Sequence, residues 1–230
     1  MELFNQNPHL VFYAILVGAM LIIRIPFIGK YFRTVNTLLH ESGHAIAAIL
    51  TSGEVVEIKL SSDTSGSAYT KSGSRGRAML VSFAGYPFAA IFSGFMLAMA
   101  ISNQYRTFFV VLFSVALLNL VLFVRNSYGI AWIITFSGLI FFVFWLGNEI
   151  VSYLFTLAVS LISLSETVFS TLTILYLGFA YPRKAGDLTN LAKISKVPAA
   201  IWALITSIVV AVTVYFIVLH YFPYPLKPIR

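Results

Sequence analysis

The chain has 230 residues, of which 59% are hydrophobic and only 10% are charged. A soluble domain carries about 25% charged residues, so this composition excludes an ordinary soluble domain and predicts a protein of the lipid bilayer. The net charge of +7 comes from basic residues scattered through several loops with no dense tract, which argues against a nucleic-acid partner.

Seven apolar segments have about the 20-residue length that a helix needs to cross a bilayer. In chain order these segments are 9–28, 34–51, 78–101, 106–124, 128–147, 149–180 and 199–222. The sixth is too long for one simple span, and its polar cluster at 163–171 predicts a kink or a break. We therefore predict an all-α polytopic membrane protein with six or seven transmembrane helices, built as a single integral-membrane domain over residues 1–230.

A small β-hairpin is predicted in the polar segment 53–73, directly after the second span. Val56, Ile58 and Leu60 alternate with the residues between them, which is the two-residue period of a strand, and a turn is expected at 63–66. The other polar connection, 181–198, is basic and carries apolar residues at helical spacing. It predicts a short amphipathic segment between the last two spans.

The expected orientation follows from the Lys and Arg residues of the loops, which favour the cytoplasmic side. With seven spans, nine such residues fall on one side and five on the other. The nine are Lys59, Lys71, Arg75, Arg77, Arg125, Arg183, Lys184, Lys193 and Lys196, and the five are Lys30, Arg33, Arg106, Lys227 and Arg230. We therefore expect a multi-pass protein of a bacterial inner membrane, with the hairpin and the 181–198 segment both on the cytoplasmic side.

Three ionisable residues interrupt the second span in the string His40-Glu41-Ser42-Gly43-His44. Residues four apart lie on one face of a helix, so His40 and His44 can present imidazole nitrogens to a single Zn²⁺ ion. Glu41 can then take a proton from a water that the zinc has made acidic. The H-E-x-x-H pattern thus predicts one zinc ion with Glu41 as catalytic base. The alternative, a purely structural polar cluster, is disfavoured because a charged group at membrane depth costs about 2.5–3.5 kcal/mol.

A catalytic zinc has three protein ligands and one open position, so a third ligand must come from elsewhere in the chain. There is no cysteine, and the remaining histidines, His9 and His220, lie near the outer ends of spans. The candidate acids are Asp63, Glu149, Glu166 and Asp187. The first two suit a turn and a helix start, respectively. Glu166 lies inside an apolar stretch and Asp187 opens the amphipathic segment, and spacing does not decide between them.

Four stretches carry a family resemblance: "HESGHAIAAILTSGEVVEIKL", "SGSRGRAMLVSFAGYPFAA", "LFVRNSYGI" and "GDLTNLAKISKVPAAIW". Together they resemble the M50 membrane metalloproteases, the site-2-protease class, and most closely their M50B-like branch. The resemblance implies an intramembrane zinc metalloendopeptidase with His40 and His44 as ligands and Glu41 as base. It also implies Asp187 as third ligand, because in this branch an Asp opens a short segment that leads to an I/V-P-x-x-x-W helix. The N-x-x-P-x-x-x-x-D-G string of better-known M50 enzymes is missing here.

The implied substrate is a transmembrane segment of another protein, which must unwind because a helix hides its peptide bonds in its own hydrogen bonds. We expect Val56 and Ile58 on the predicted strand to hold the unwound chain by strand pairing. Asn119 and Asn126 are expected to donate hydrogen bonds to the substrate or, alternatively, to neighbouring helices. The alternative function is a non-proteolytic membrane protein, either an inactive relative that binds transmembrane partners or a metal carrier. The sequence leaves the oligomeric state open.

Overall fold

Helices dominate the computed structural model, which describes residues 8–222. In chain order the elements of this part are α1 (Pro8–Ile22), α2 (Ile28–Leu50), β1 (Glu54–Leu60), β2 (Gly66–Lys71), α3 (Arg75–Ile101), α4 (Tyr105–Leu122), α5 (Ser127–Leu146), α6 (Glu149–Ala180), α7 (Asp187–Ser195) and α8 (Ala199–Tyr221). A single 3₁₀ turn, Pro182–Lys184, precedes α7. The predicted all-α polytopic architecture with one hairpin after the second helix is confirmed. Lys227 and Arg230, which entered the charge count, lie outside the described residues.

Five of the described helices, α3, α4, α5, α6 and α8, are long and apolar enough to cross a membrane. Helix α1 is shorter, at 15 residues, and α2 has 23 residues but carries the polar H-E-x-x-H string. The predicted break at 163–171 is wrong, because α6 runs as one helix for 32 residues. Its hydroxyl groups bond inside the helix instead: Thr167 Oγ1 donates to the Ser163 carbonyl and Thr171 Oγ1 to the Thr167 carbonyl.

Polar contacts fix α2 against α6. Arg33 makes a two-pronged ion pair with Glu166, with Nε and Nη2 each 2.8 Å from a carboxylate oxygen. One turn further along α2, the Asn36 amide donates to the Ser163 carbonyl and to Thr167 Oγ1 at 2.8 and 2.7 Å. Buried polar groups are stable in a membrane interior only when they are bonded in this way, so the contacts set the register between the two helices.

The hairpin is anchored through β1. On one side β1 pairs antiparallel with β2, and on the other the Ile58 amide donates to the Phe123 carbonyl at 2.9 Å. On the same side of β1, the Asn126 side chain accepts a hydrogen bond from the Leu60 amide and donates one to the Leu60 carbonyl. The predicted alternation fails at one position: a bulge between Val55 and Glu57 leaves Val56 exposed, whereas Ile58 and Leu60 are buried.

The 181–198 segment folds back onto the helical body, as its apolar spacing predicts. Leu188 and Leu191 of α7 are fully buried in a core that it shares with α6 and α8. The helix ends at Ser195, and the next residue, Lys196, adopts a left-handed conformation. Trp202 Nε1 of α8 donates to Ser195 Oγ at 2.9 Å. The first residue of α7, Asp187, is thereby held beside the middle of α2.

The ion pair between Arg33 and Glu166 generates a prediction about stability. Replacing Glu166 by Leu leaves the Arg33 guanidinium without its partner, and we expect the folded state to lose about 2 kcal/mol. The double variant Arg33→Leu/Glu166→Leu should recover most of this loss, because two apolar groups replace both charges. Thermal unfolding of the purified protein in detergent measures both effects. The single variant Arg33→Leu completes the comparison. If the double variant loses as much stability as the two single variants together, the ion pair does not couple the helices.

Candidate metal centre

The two histidines of the H-E-x-x-H string converge as the helical spacing predicts. His40 Nε2 and His44 Nε2 lie 3.1 Å apart, and the rings are nearly perpendicular. His44 Nδ1 lies 2.6 Å from the Val81 carbonyl oxygen. A carbonyl can only accept, so Nδ1 carries the ring proton and donates it. This leaves His44 Nε2 with a free lone pair, which is the arrangement typical of a metal-ligating histidine.

Asp187 completes the group from α7. Its Oδ2 lies 3.0 Å from His40 Nε2 and 3.2 Å from His44 Nε2. Burial alone would raise the pKa of Asp187, but its interactions with the His44 and His40 side chains outweigh burial and hold the pKa below its usual range. The carboxylate is therefore ionised, as a metal ligand must be. We call His40, His44 and Asp187 the ligand triad.

The other candidate acids are engaged elsewhere. Glu166 is paired with Arg33, and Glu149 lies in the first turn of α6. Asp63 lies in the hairpin turn, where hydrogen bonds from the hydroxyl and the amide of Ser65 lower the pKa of its carboxyl group. Among the described residues the ligand triad is the one group of three whose donor atoms are close enough to share a metal ion.

The ligand triad has the size and chemistry that zinc requires. Tetrahedral bonds of about 2.0–2.1 Å place neighbouring ligand atoms about 3.3–3.4 Å apart. The three separations here, 3.0, 3.1 and 3.2 Å, are within a few tenths of an ångström of that value. Two imidazoles and one carboxylate form a donor set found in catalytic zinc sites, and three protein ligands leave a fourth position open.

Helix α3 approaches the ligand triad at Gly85. A Cβ atom built on Gly85 would lie 2.5 Å from His40 Cε1 and 2.6 Å from His44 Nε2. Any side chain at this position would therefore displace the imidazoles. Gly85 lies in the string Ala84-Gly85-Tyr86. The space that it leaves for the two imidazoles could not be predicted from the sequence, because it depends on the packing of α3 on α2.

Glu41 lies beside the ligand triad and beneath the hairpin. It is buried, with 4% of its surface exposed, and it interacts electrostatically with all three members of the triad. A Cβ atom on Gly66 of β2 would lie 2.5 Å from Glu41 Oε1, so the strand backbone passes directly over the carboxylate. The Thr37 hydroxyl, one turn earlier on α2, donates to the Thr64 carbonyl and fixes the hairpin in this place.

A cavity of about 1370 Å³ opens onto the ligand triad and Glu41. Its walls come from α2, β2, α3, α6 and α7, so the hairpin and the 181–198 segment meet at one site. Residues 66–70 of β2 line the cavity, and in the described part of the chain no strand pairs with the outer edge of β2.

The four residues predicted to bind substrate do not line this cavity. Ile58 is fully buried and its backbone is bonded to the 123–125 segment, so the outer edge of β1 is closed to a peptide. Asn126 is engaged with Leu60, and the Asn119 amide donates to Ser42 Oγ and the Val115 carbonyl. Val56 is exposed on the bulge but away from the cavity. The substrate-binding role expected for these four residues stays a prediction, and β2 is the strand whose unpaired edge borders the cavity.

Comparison with known proteins adds an independent observation. The family model described as Peptidase M50B-like matches residues 13–218. The chain belongs to this family. The match spans the ligand triad, Glu41 and every described transmembrane helix apart from short ends, and it confirms the resemblance to the M50 class. Searches of the curated proteins and of the solved structures find no match.

Membership of the M50B-like family supports a membrane metallopeptidase, and M50 peptidases are zinc enzymes. The ligand triad fits that metal by geometry and by donor type.

Zinc content should separate Asp187 from Glu166. We expect Asp187→Ala to lose most of the zinc from purified protein, because two imidazoles alone bind the ion weakly. Glu166→Gln should retain it, since Glu166 faces Arg33. Elemental analysis measures the zinc content of both variants and of the wild type. Asp63→Ala is the control, because it removes another acid that lines the cavity and should keep the zinc. Zinc loss in the Glu166 variant alone would refute the assignment.

A matched pair of glycine variants tests the close approach of α3. Gly85→Ala should lower zinc content several-fold, because the new methyl group collides with both imidazoles. Gly76→Ala, on the same helix, should leave zinc content unchanged, since a Cβ atom built on Gly76 meets nothing within 4 Å. Equal zinc content in the two variants would show that the histidines tolerate the displacement.

Proposed function

We propose that the protein is a zinc-dependent intramembrane endopeptidase that hydrolyses peptide bonds in or near transmembrane segments of other membrane proteins. One observation carries the proposal: the ligand triad and the Glu41 carboxylate open together onto a large cavity that is walled on one side by a free strand edge. Family membership supports the same reading. The charge count favours a site toward the cytoplasmic side of the membrane, which we propose to be a bacterial inner membrane.

The chemistry divides between the metal and Glu41. Zinc, when bound by the ligand triad, supplies a Lewis acid that polarises the peptide carbonyl and makes a water acidic near neutral pH. The Glu41 carboxylate takes a proton from the attacking water and then transfers it to the leaving nitrogen. Its burial under β2 fixes its direction and excludes bulk water, which strengthens its interaction with the reacting groups.

The edge of β2 offers a way to hold an unwound substrate. A transmembrane helix must lose its internal hydrogen bonds before a peptide bond is accessible, and free peptide groups in a membrane need new partners. An extended segment that adds to the outer edge of β2 would regain such partners. Because Gly66 lies against Glu41, this segment would run past the catalytic carboxylate.

Cleavage by a Glu41 variant tests the proposed reaction. Glu41→Gln should retain zinc, because Glu41 is not a member of the ligand triad. Its rate of cleavage of a membrane-embedded reporter should fall about 10³-fold, because the proton acceptor is gone. The reporter is assayed with purified protein in liposomes, with zinc content measured on the same samples. Cleavage at the wild-type rate would refute the mechanism, and a wild type that binds zinc and reporter but never cleaves would favour the non-proteolytic alternative.

Site-specific crosslinking tests which strand holds the substrate. In the Glu41→Gln background, a photoreactive amino acid in place of Tyr69 should crosslink the reporter, since Tyr69 is exposed on β2 and lines the cavity. The matched control is the same replacement at Val56, which is similarly exposed but lies on the β1 bulge. Crosslinking from Val56 and not from Tyr69 would restore the β1 edge as the substrate strand.

A further inference from the structure

Tyr86 stands out among the residues around the cavity. It follows Gly85 on α3, and its ring packs against the His40 ring with centroids 4.4 Å apart and planes at 75°. It lines the cavity together with Glu41 and the ligand triad. Because this ring lies directly against a ligand of the candidate metal centre, the Tyr86 side chain belongs to the wall of the cavity around that centre.

The hydroxyl group of Tyr86 makes no hydrogen bond to any of the described residues. Tyrosine hydroxyls away from water normally find a partner. Other partly buried tyrosines of this chain do so, since Tyr31 donates to Thr135 Oγ1 and Tyr105 donates to Asn103 Oδ1. Packing against His40 requires only the ring, and a phenylalanine would serve as well. The hydroxyl group is therefore a donor that the described residues leave without a partner, on a side chain that lines the cavity.

We propose that the Tyr86 hydroxyl donates a hydrogen bond to the carbonyl oxygen of the scissile peptide as that oxygen gains negative charge. This inference rests on the proposed protease function. When the water oxygen bonds to the carbonyl carbon, the π electrons of the carbonyl move to its oxygen, and a donor already in place stabilises that charge without reorganisation. The tyrosine keeps its proton throughout, so the step needs no further reactant.

The test uses Tyr86→Phe, which keeps the ring on His40 and removes only the hydroxyl group. We expect kcat for the membrane-embedded reporter to fall about 10²-fold, with KM and zinc content unchanged, because the lost donor acts on the transition state. The affinity for a phosphinic peptide, whose tetrahedral centre mimics the charged state, should fall by a similar factor. Tyr128→Phe, a partly buried tyrosine outside the cavity, should match wild type in all these measurements.

Three results would overturn the inference. The first is a Tyr86→Phe variant with wild-type kcat and wild-type affinity for the phosphinic peptide. The second is loss of zinc from the variant, which would make Tyr86 a support for His40 only. The third is a change in the absorption spectrum of the Co²⁺-substituted variant, which would make the hydroxyl a metal ligand. In each case the wild type still cleaves the reporter, whereas a wild type without activity would refute the proposed function itself.

Discussion

The contact between the Asp187 carboxylate and the imidazoles of His40 and His44 joins parts of the chain that are 147 residues apart. Bringing these three groups together in a protein of the bilayer requires that every helix around them be fixed. Helix α7 is held by its buried leucines, α2 is tied to α6 through Arg33 and Asn36, and α3 approaches at a glycine. The ionised carboxylate and the imidazole lone pair of His44 are both electron-pair donors, so their close approach suits a cation that both can bind.

The same packing determines how a substrate can reach the ligand triad. Strand β1 is bonded to β2 on one side, and at Ile58 and Leu60 it is also bonded to the 123–126 segment on the other. Strand β2 is thereby presented to the cavity with its outer edge open, and its glycine lies on Glu41. A strand edge in a membrane is tolerated only where it faces protein or a water-filled cavity. The cavity thus accounts for the open edge, and the edge gives an unwound peptide a place to bind.

Local patterns in the sequence predict much of this structure. The helices follow from apolar length, and the convergence of His40 and His44 follows from a spacing of four residues on one helix. The break predicted in α6 is wrong because a polar cluster on a helix can satisfy its hydroxyl groups on the preceding turn, as Thr167 and Thr171 do. Spacing alone left Glu166 and Asp187 open, and only family resemblance favoured Asp187, because no local rule shows that Arg33 faces Glu166.

The features that the sequence analysis missed all depend on contacts between distant segments. The closed edge of β1 depends on Phe123 and Asn126, and the bulge at Val56 becomes visible only from its pairing with β2. Gly66, Gly85 and Tyr86 matter because of what lies opposite them. The Ala84-Gly85 pair in the A-G-Y string is a signal for the close approach of α3, since small residues in a membrane helix allow a neighbouring helix to approach.

The central claim is that His40, His44 and Asp187 together hold one zinc ion in the folded protein. X-ray absorption at the zinc edge, on protein purified in detergent, tests it most directly. The account predicts one zinc per chain with nitrogen and oxygen ligands at about 2.0–2.1 Å and the scattering signature of two imidazoles. Protein that is folded but free of zinc under zinc-replete conditions, or a zinc shell without two imidazoles, would contradict it.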